Sequence, residues 1–391
     1  MKEPLHILYL SSWYPNRKDP TLGIFVKRHA EAAAEINKVT LLHACVDTDM
    51  GEGEFRIEKT EKGQFRELLV SYGASHSKIG FIRRLKNYQY KKRFYHFGLE
   101  KVLEWAGQVD LIHLHVPWPM GEIMQSLSRK LKVPYVLSEH WTGYQPEDGR
   151  YKGWLMERLT KRTTRDAAFV LPVSEHLLQA MRSKGVPGNY RVVPNVVDTD
   201  LFKPLEGEQV IEKHLIHVSS LDDQQKDVSG IIAAFIEARK QAPELKLVVI
   251  GSGIDEVKLK KLSNEAGLTG RSVFFKGRMM EHDLVKEFQH ARAFVLNSRF
   301  ETQGVVILEA LACGIPVIAP AIGGIDPQIR DGCGILFPSG DQKALCEAML
   351  EVANNYQQYE AEKIREFVNS RFSYQVVSKQ LDQIYREVLQ R

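Results

Sequence analysis

Short, unbroken apolar runs that stop at a polar or glycine-containing turn recur along this chain, and they limit its fold more than any other feature. HILYLSS, VTLLHAC, ELLVSYG, LIHLHVP, YVLSEH and AFVLPVS lie in the first half, most of them separated by stretches long enough for a helix, such as FVKRHAEAAAE. A strand that is apolar throughout must be covered on both faces, and a parallel sheet flanked by helices provides that cover. After YRVVPNVVDTDLFKP the rhythm restarts with HLIHVSS, KLVVIGSG, VFFKG, AFVLNS, PVIAPAI and GILFPSG. The expected fold is α/β, with two doubly wound Rossmann-like domains facing across a cleft. The first spans 1–197, the second 198–370, and the proline-marked stretch from Pro194 to Pro204 links them. In YQVVSKQLDQIYREVL, Val377, Leu381, Ile384 and Val388 recur at helical spacing, so 371–391 is expected to form a helix that packs back on the first domain.

A chain of 391 residues, 43% hydrophobic and 26% charged, can bury two ordinary cores. Its net charge of +4 is small for this length, and its basic and aromatic residues form no stacking platform, so no nucleic-acid partner is expected. Cys45, Cys313, Cys333 and Cys346 lack metal-site spacing and read as buried, reduced thiols. MKEPLHILYLSSWYP lacks the long apolar core of a signal peptide, and no stretch reaches the ~20 apolar residues of a membrane span. A cytoplasmic protein is expected. The one dense basic and aromatic segment, RRLKNYQYKKRFYHF (83–97), reads first as a solvated helix face and second as a peripheral membrane contact.

RFETQGVVILEALACGIPVIAP (299–320) carries the chemistry. A strand is expected to end near Ser298 and a helix to start near Gly304, where unpaired amides and the helix dipole attract an anion. Gln303, Gly304 and Val305 would offer main-chain donors to a phosphate. Glu309, more than a turn into the helix, suits a pair of ribose hydroxyls. Glu301, in the preceding loop, is free to meet a further polar group. Ala310, Ala312 and Cys313 let the helix pack closely, and Gly314 with Pro316 ends it.

The full string, Glu, seven residues, Glu-Ala, then Gly-x-Pro-Val, resembles the signature of the retaining glycosyltransferases of the two-Rossmann-domain (GT-B) class, family 4 or "glycosyl transferases group 1" type, over nearly the whole chain. The resemblance implies a metal-independent hexosyltransferase without cofactor. It would move a sugar from a nucleoside-diphosphate sugar, with retained configuration, to a saccharide or lipid-linked acceptor in surface polysaccharide or glycolipid synthesis. Glu301 would contact the donor sugar, Gln303 to Val305 hold sugar and phosphate, and Glu309 hold the ribose. VSSLDDQQKD places Lys226 where the family keeps a diphosphate-gripping lysine, but Ser220 stands where an arginine is usual; Arg278 and Arg299 are candidates to replace it. Gly23 matches a donor-approaching loop glycine, His140 a histidine near the reaction centre, and Gly277 with Arg278 the backbone contact to the base. Gly323 and Gly324 keep a family glycine pair.

His113 and His115 are expected to point to opposite sides of their strand, which disfavours joint metal ligation, and both read as structural. Asp198 and Asp200 form a DxD triplet in the linker, where a turn or capping role is expected. Rival readings are a sugar-nucleotide epimerase or phosphorylase on the same architecture, and a non-catalytic sugar-nucleotide or lipid-binding protein.

Overall fold

A computed structural model of the chain describes residues 3–205, 214–329 and 332–390. The chain divides into two compact units, Met1–Val196 with Tyr374–Arg391, and Val197–Ser373.

The first unit runs β1 (His6–Ser11), α1 (Ile24–Ala34), β2 (Lys38–Val46), β3 (Phe55–Lys62), β4 (Phe65–Tyr72), α2 (Gly80–Ala106), β5 (Leu111–His115), α3 (Pro117–Leu131), β6 (Tyr135–Glu139), α4 (Trp154–Asp166), β7 (Phe169–Pro172) and α5 (Glu175–Ser183). Its sheet has the order β3-β4-β2-β1-β5-β6-β7. The apolar runs explain the cover on both faces. Leu8 and Leu10 of β1 join one core with Phe94, Tyr95 and Leu99 of α2, while Ile7 and Tyr9 join another with α1. All neighbours pair in parallel except β3, which lies antiparallel on β4. The sequence of β3, FRIEKTEK, has no apolar run, because the strand is an edge whose side chains face mostly water. It therefore departs from the expected all-parallel pattern.

The second unit runs β8 (His214–Val218), α6 (Asp223–Lys226), α7 (Val228–Gln241), β9 (Lys246–Ile250), α8 (Glu256–Glu265), β10 (Val273–Gly277), α9 (Glu281–His290), β11 (Ala293–Val295), α10 (Val305–Ala312), β12 (Val317–Pro320), β13 (Gly334–Phe337), α11 (Gln342–Asn355) and α12 (Ala361–Phe372). Its parallel sheet has the order β10-β9-β8-β11-β12-β13, again with a core on each face.

The chain returns to the first unit through α13 (Tyr374–Leu389). The helix starts later than the expected 371 because Arg371 and Phe372 complete α12. Val377, Leu381, Ile384 and Val388 are all buried against α1 and its sheet. Tyr385 adds what apolar spacing does not show: its buried hydroxyl lies 2.7 Å from the Tyr9 hydroxyl and 2.7 Å from His113 Nδ1.

Of the eight buried histidines among the described residues, six, His29, His43, His113, His115, His140 and His217, have strongly lowered pKa values, burial being the main cause in each. His29, His43 and His217 fall to about 4, and the other three well below the ordinary value. The unfolded chain then binds more protons than the folded one, so this stability is complete above about pH 6.5 and is lost as the pH falls towards 4. Glu139 acts in the opposite sense, because burial raises its carboxyl to about 7, and its contribution declines as the pH rises from the ordinary carboxylate range to that value. Six groups outweigh one. Each histidine contributes roughly 1.4 kcal/mol per pH unit within its window. The melting temperature is expected to drop steeply between about pH 6.5 and pH 5 in thermal unfolding followed by circular dichroism; a flat profile would contradict the neutral histidines.

Candidate functional site

In the second unit the first strand, β8, lies between β9 and β11, so the chain leaves it to opposite sides. The crevice outside the carboxyl ends of strands at such a reversal is where open α/β sheets bind ligands. Two polar segments meet there: the loop after β8, which enters the single turn of α6, and the loop after β11, which enters α10.

Alternate residues of the second loop hold the first. Asn297 Nδ2 donates to Asp227 Oδ2 at 2.8 Å. The Arg299 guanidinium donates to the carbonyls of Asp223 and Gln224 at 2.8 and 2.9 Å and to Asp227 Oδ1 at 2.7 Å. Glu301 Oε1 accepts from Lys226 Nζ and, at 2.9 Å, from the Ser298 hydroxyl. The Lys226 and Glu301 side chains are only 15% and 8% exposed, which makes theirs a buried ion pair. Removing one member of such a pair strands the other and costs about 3 to 5 kcal/mol. Gly230 is small because a Cβ there would come within 2.7 Å of Asn297 Nδ2.

Gly304 precedes α10 at φ 72°, a left-handed conformation that suits glycine, and no side chain caps the helix. Its first turn therefore presents main-chain N–H groups beside the Lys226–Glu301 pair. Gln303 is buried, and its carbonyl accepts from the Gln328 amide, which also donates to the Gly324 carbonyl at 2.7 Å. A Cβ on Gly324 would sit 2.1 Å from the Glu301 carbonyl, so that glycine lets the following turn press on the loop. Val305 is half-buried. Glu309 is 5% exposed; its charge, after burial itself, helps to push the Cys313 thiol upward. Neither glutamate is thus an ordinary surface residue.

Ser220 is exposed on the loop after β8, where its carbonyl accepts from the Asp222 amide at 2.7 Å. Of the two arginines expected to replace the missing cation, Arg299 is committed to clamping α6, and Arg278 is exposed after β10. Gly277 has φ 69°, and nothing occupies its Cβ position.

In the first unit β1 lies between β2 and β5, a second reversal. Gly23 precedes α1, and a Cβ there would stand 2.5 Å from the Trp13 carbonyl, so its small size lets the loop after β1 close down. His140 follows β6 and is 6% exposed. Its Nδ1 faces Asn195 Oδ1 at 3.0 Å and its Nε2 faces His115 Nδ1 at 2.9 Å. A carboxamide oxygen only accepts, so Nδ1 carries the proton and Nε2 accepts from His115. Burial and the neighbouring His29 keep the ring neutral, which makes it a fixed wall rather than a titrating acid. His113 and His115 correct the sequence expectation: residues two apart on a strand share a face, and their rings stack at 4.4 Å. Among the described residues no group of three His, Cys, Asp or Glu side chains is arranged to hold a metal. Asp198 Oδ1 accepts from the amides of Asp200 and Leu201 at 3.1 and 3.0 Å, the expected turn role.

Sequence reasoning missed Asn297, Asp227, Asn195 and Glu139. Alternation in NSRFE, which points residues 297, 299 and 301 one way, singles out the position of Asn297, but nothing in the sequence pairs it with Asp227, 70 positions earlier. Asn195 and Glu139 carried none: they act through contacts distant in sequence or along a loop, Glu139 by accepting from the His140 and Trp141 amides and the Tyr144 hydroxyl at 2.8, 3.0 and 2.7 Å.

Residues 23–201 match the family model described as Glycosyltransferase Family 4, and residues 200–368 that of Glycosyl transferases group 1. The chain is 26% identical over 316 residues to the alpha-monoglucosyldiacylglycerol synthase of Streptococcus pneumoniae, covering 75% of this chain and 71% of that one. It is 24% identical over 306 residues to the phosphatidyl-myo-inositol mannosyltransferase of Mycobacterium leprae, covering 74% and 76%. Among solved structures, sucrose-phosphate synthase from Thermosynechococcus elongatus superposes with a TM-score of 0.77 at 22% identity over 98% of this chain and 99% of that one. HepE of Anabaena, in complex with UDP and glucose, does so with 0.71 at 17% identity over 98% and 100%. Two adjoining family models, a two-sheet fold shared with these structures and a polar crevice at the strand reversal converge on one assignment: the chain belongs to the GT-B glycosyltransferases of the family 4 type.

Proposed function

We propose that this glycosyltransferase takes its sugar from a nucleoside diphosphate and passes it, with retained configuration and without a metal ion, to a saccharide or lipid-linked acceptor. The observation that carries this reading is the buried Lys226–Glu301 pair standing beside the uncapped start of α10, with Glu309 buried on the same helix. The leaving diphosphate gains negative charge as the glycosidic bond breaks, and preorganised positive groups stabilise that charge. Lys226 and the amides of Gln303, Gly304 and Val305 would supply it, Glu309 would accept from the ribose hydroxyls, and Gly277 with Arg278 would border the base. Glu301, already bonded to Lys226 and Ser298, is fixed as a sugar ligand rather than poised as a nucleophile, which favours attack from the face that the diphosphate leaves. His140, locked in its tautomer, would offer a fixed polar wall at the strand reversal of the first unit.

The acceptor side of the reading draws on relatives whose names specify lipids and on the first unit's surface. The first turns of α2 expose Phe81 (76%), Ile82 and Leu85, together with Arg83 and Arg84. No helix among the described residues is long and apolar enough to cross a membrane; the tip of α2 instead suits peripheral contact with an anionic bilayer at the cytoplasmic face.

Calorimetry with UDP, GDP, ADP and TDP in metal-free buffer should show selective binding of one nucleotide. Glu309→Ala should weaken it by a factor on the order of 10 to 100, the loss of charge-assisted hydrogen bonds. Binding without any sugar transfer would favour the non-catalytic reading, to which Ser220 lends support; binding of none of the four would contradict the donor assignment. Sedimentation with phosphatidylglycerol-containing vesicles should fall several-fold in Arg83→Ala/Arg84→Ala, and an unchanged bound fraction would exclude this tip as the contact.

A further inference from the structure

Helix α2 runs from the carboxyl edge of the first unit's sheet back towards the start of β5. With 27 residues it is about 40 Å long, against about 30 Å for the nine residues of β2. Its level relative to the sheet is fixed by two contacts. Phe94 stacks on Tyr72, the last residue of β4, at 4.6 Å, and the Tyr95 hydroxyl donates to the carbonyl of Ser11, the last residue of β1, at 2.9 Å. Lys91 lies one turn before Tyr95, on the same inward face. Helical side chains lean towards the N-terminus, which carries its ammonium towards the carboxyl end of β2, within electrostatic reach of Cys45 and His43, on the sheet edge that also bears His140.

Lys91 is half-buried, and among the described residues it makes no hydrogen bond or ion pair. The acids of that edge are committed to other cations: Asp47 to Arg56 at 3.3 Å and to Lys18 at 4.0 Å, and Glu52 to Lys86 at 3.1 Å. Between Leu68 and Leu99 the sequence contains no Asp or Glu. His43, buried beneath, is kept neutral by burial, and Lys91 itself lowers its pKa further. Burial also lowers the Lys91 ammonium to about 8. A desolvated cation without a counter-ion opposes folding, and groups held in that state cluster at binding sites.

We infer that Lys91 is the anion site of the acceptor, binding a phosphate or carboxylate carried by the molecule that receives the sugar. The inference rests on the transferase reading, since it assumes that an acceptor enters over this edge.

Trace acetylation of the full chain, read at each lysine by mass spectrometry, tests it. Inorganic phosphate raised to about 10 mM at constant ionic strength should slow acetylation of Lys91 at least threefold and leave exposed Lys343 unaffected. A second arm replaces phosphate with phosphatidylcholine vesicles, with or without phosphatidylglycerol. Protection by free phosphate assigns an anion that a soluble acceptor can carry; protection only by the phosphatidylglycerol vesicles assigns a lipid headgroup. An unchanged Lys91 rate in both arms would overturn the inference. Protection of Lys226 by the nucleoside diphosphate, read in the same digest, reports separately on the transferase reading. Lys91→Met should keep or raise the melting temperature, because it removes an uncompensated charge. A fall of several degrees would instead assign Lys91 to the fold and overturn its role as a site.

Discussion

The second unit's site depends on one buried ion pair. Lys226 comes from a single helical turn after β8 and Glu301 from the loop after β11, so neither is positioned by its own element alone. One turn of helix is too short to stand by itself. It is held by groups that arrive from the other side of the strand reversal: Arg299 on its first two carbonyls, Asn297 and Arg299 on Asp227, and Glu301 on Lys226. The same three residues thereby fix the loop that leads into α10. The cation, the carboxylate and the helix start are assembled before any ligand arrives, and a ligand would meet oriented charge without first having to order it.

Arginine and lysine divide the work in a way their chemistry explains. The planar, forked guanidinium of Arg299 satisfies two carbonyls and a carboxylate at once, while the Lys226 ammonium is a compact charge that can exchange one partner for another. An anionic ligand can therefore draw on Lys226 without dismantling the clamp. The first unit shows a related economy with neutral groups. Asn195, His115 and His140 form a chain of hydrogen bonds in which each nitrogen of His140 has a partner, and Tyr385 ties His113 to the C-terminal helix.

Much of this was legible in the sequence because the strands are short apolar runs and the helices carry their spacing openly. β3 was not, since an exposed edge strand has no apolar signature. The strand after Arg292 also ends at Val295, earlier than Ser298, because the mostly polar residues 297 to 303 form a loop whose hydrogen bonds go largely to residues distant in sequence. Glu301, Gly304, Glu309 and Lys226 could be named from their spacing and their resemblance to a family. The roles of Asn297, Asp227 and Asn195 could not, because each is defined by a bond across 55 to 70 positions of chain. The misreading of His113 and His115 was an error of strand geometry that the stacked rings expose.

The central claim is that the start of α10 and Lys226 form one preassembled anion site. Nuclear magnetic resonance of the isotopically labelled chain, titrated in turn with UDP, GDP, ADP and TDP, tests this most directly. The account predicts that the backbone amides of Gln303, Gly304 and Val305 and the Lys226 side chain shift together along one saturation curve, while those of the Asn297–Arg299 clamp barely move. Shifts confined to other parts of the chain, or a wholesale rearrangement of the 297–301 loop, would contradict it.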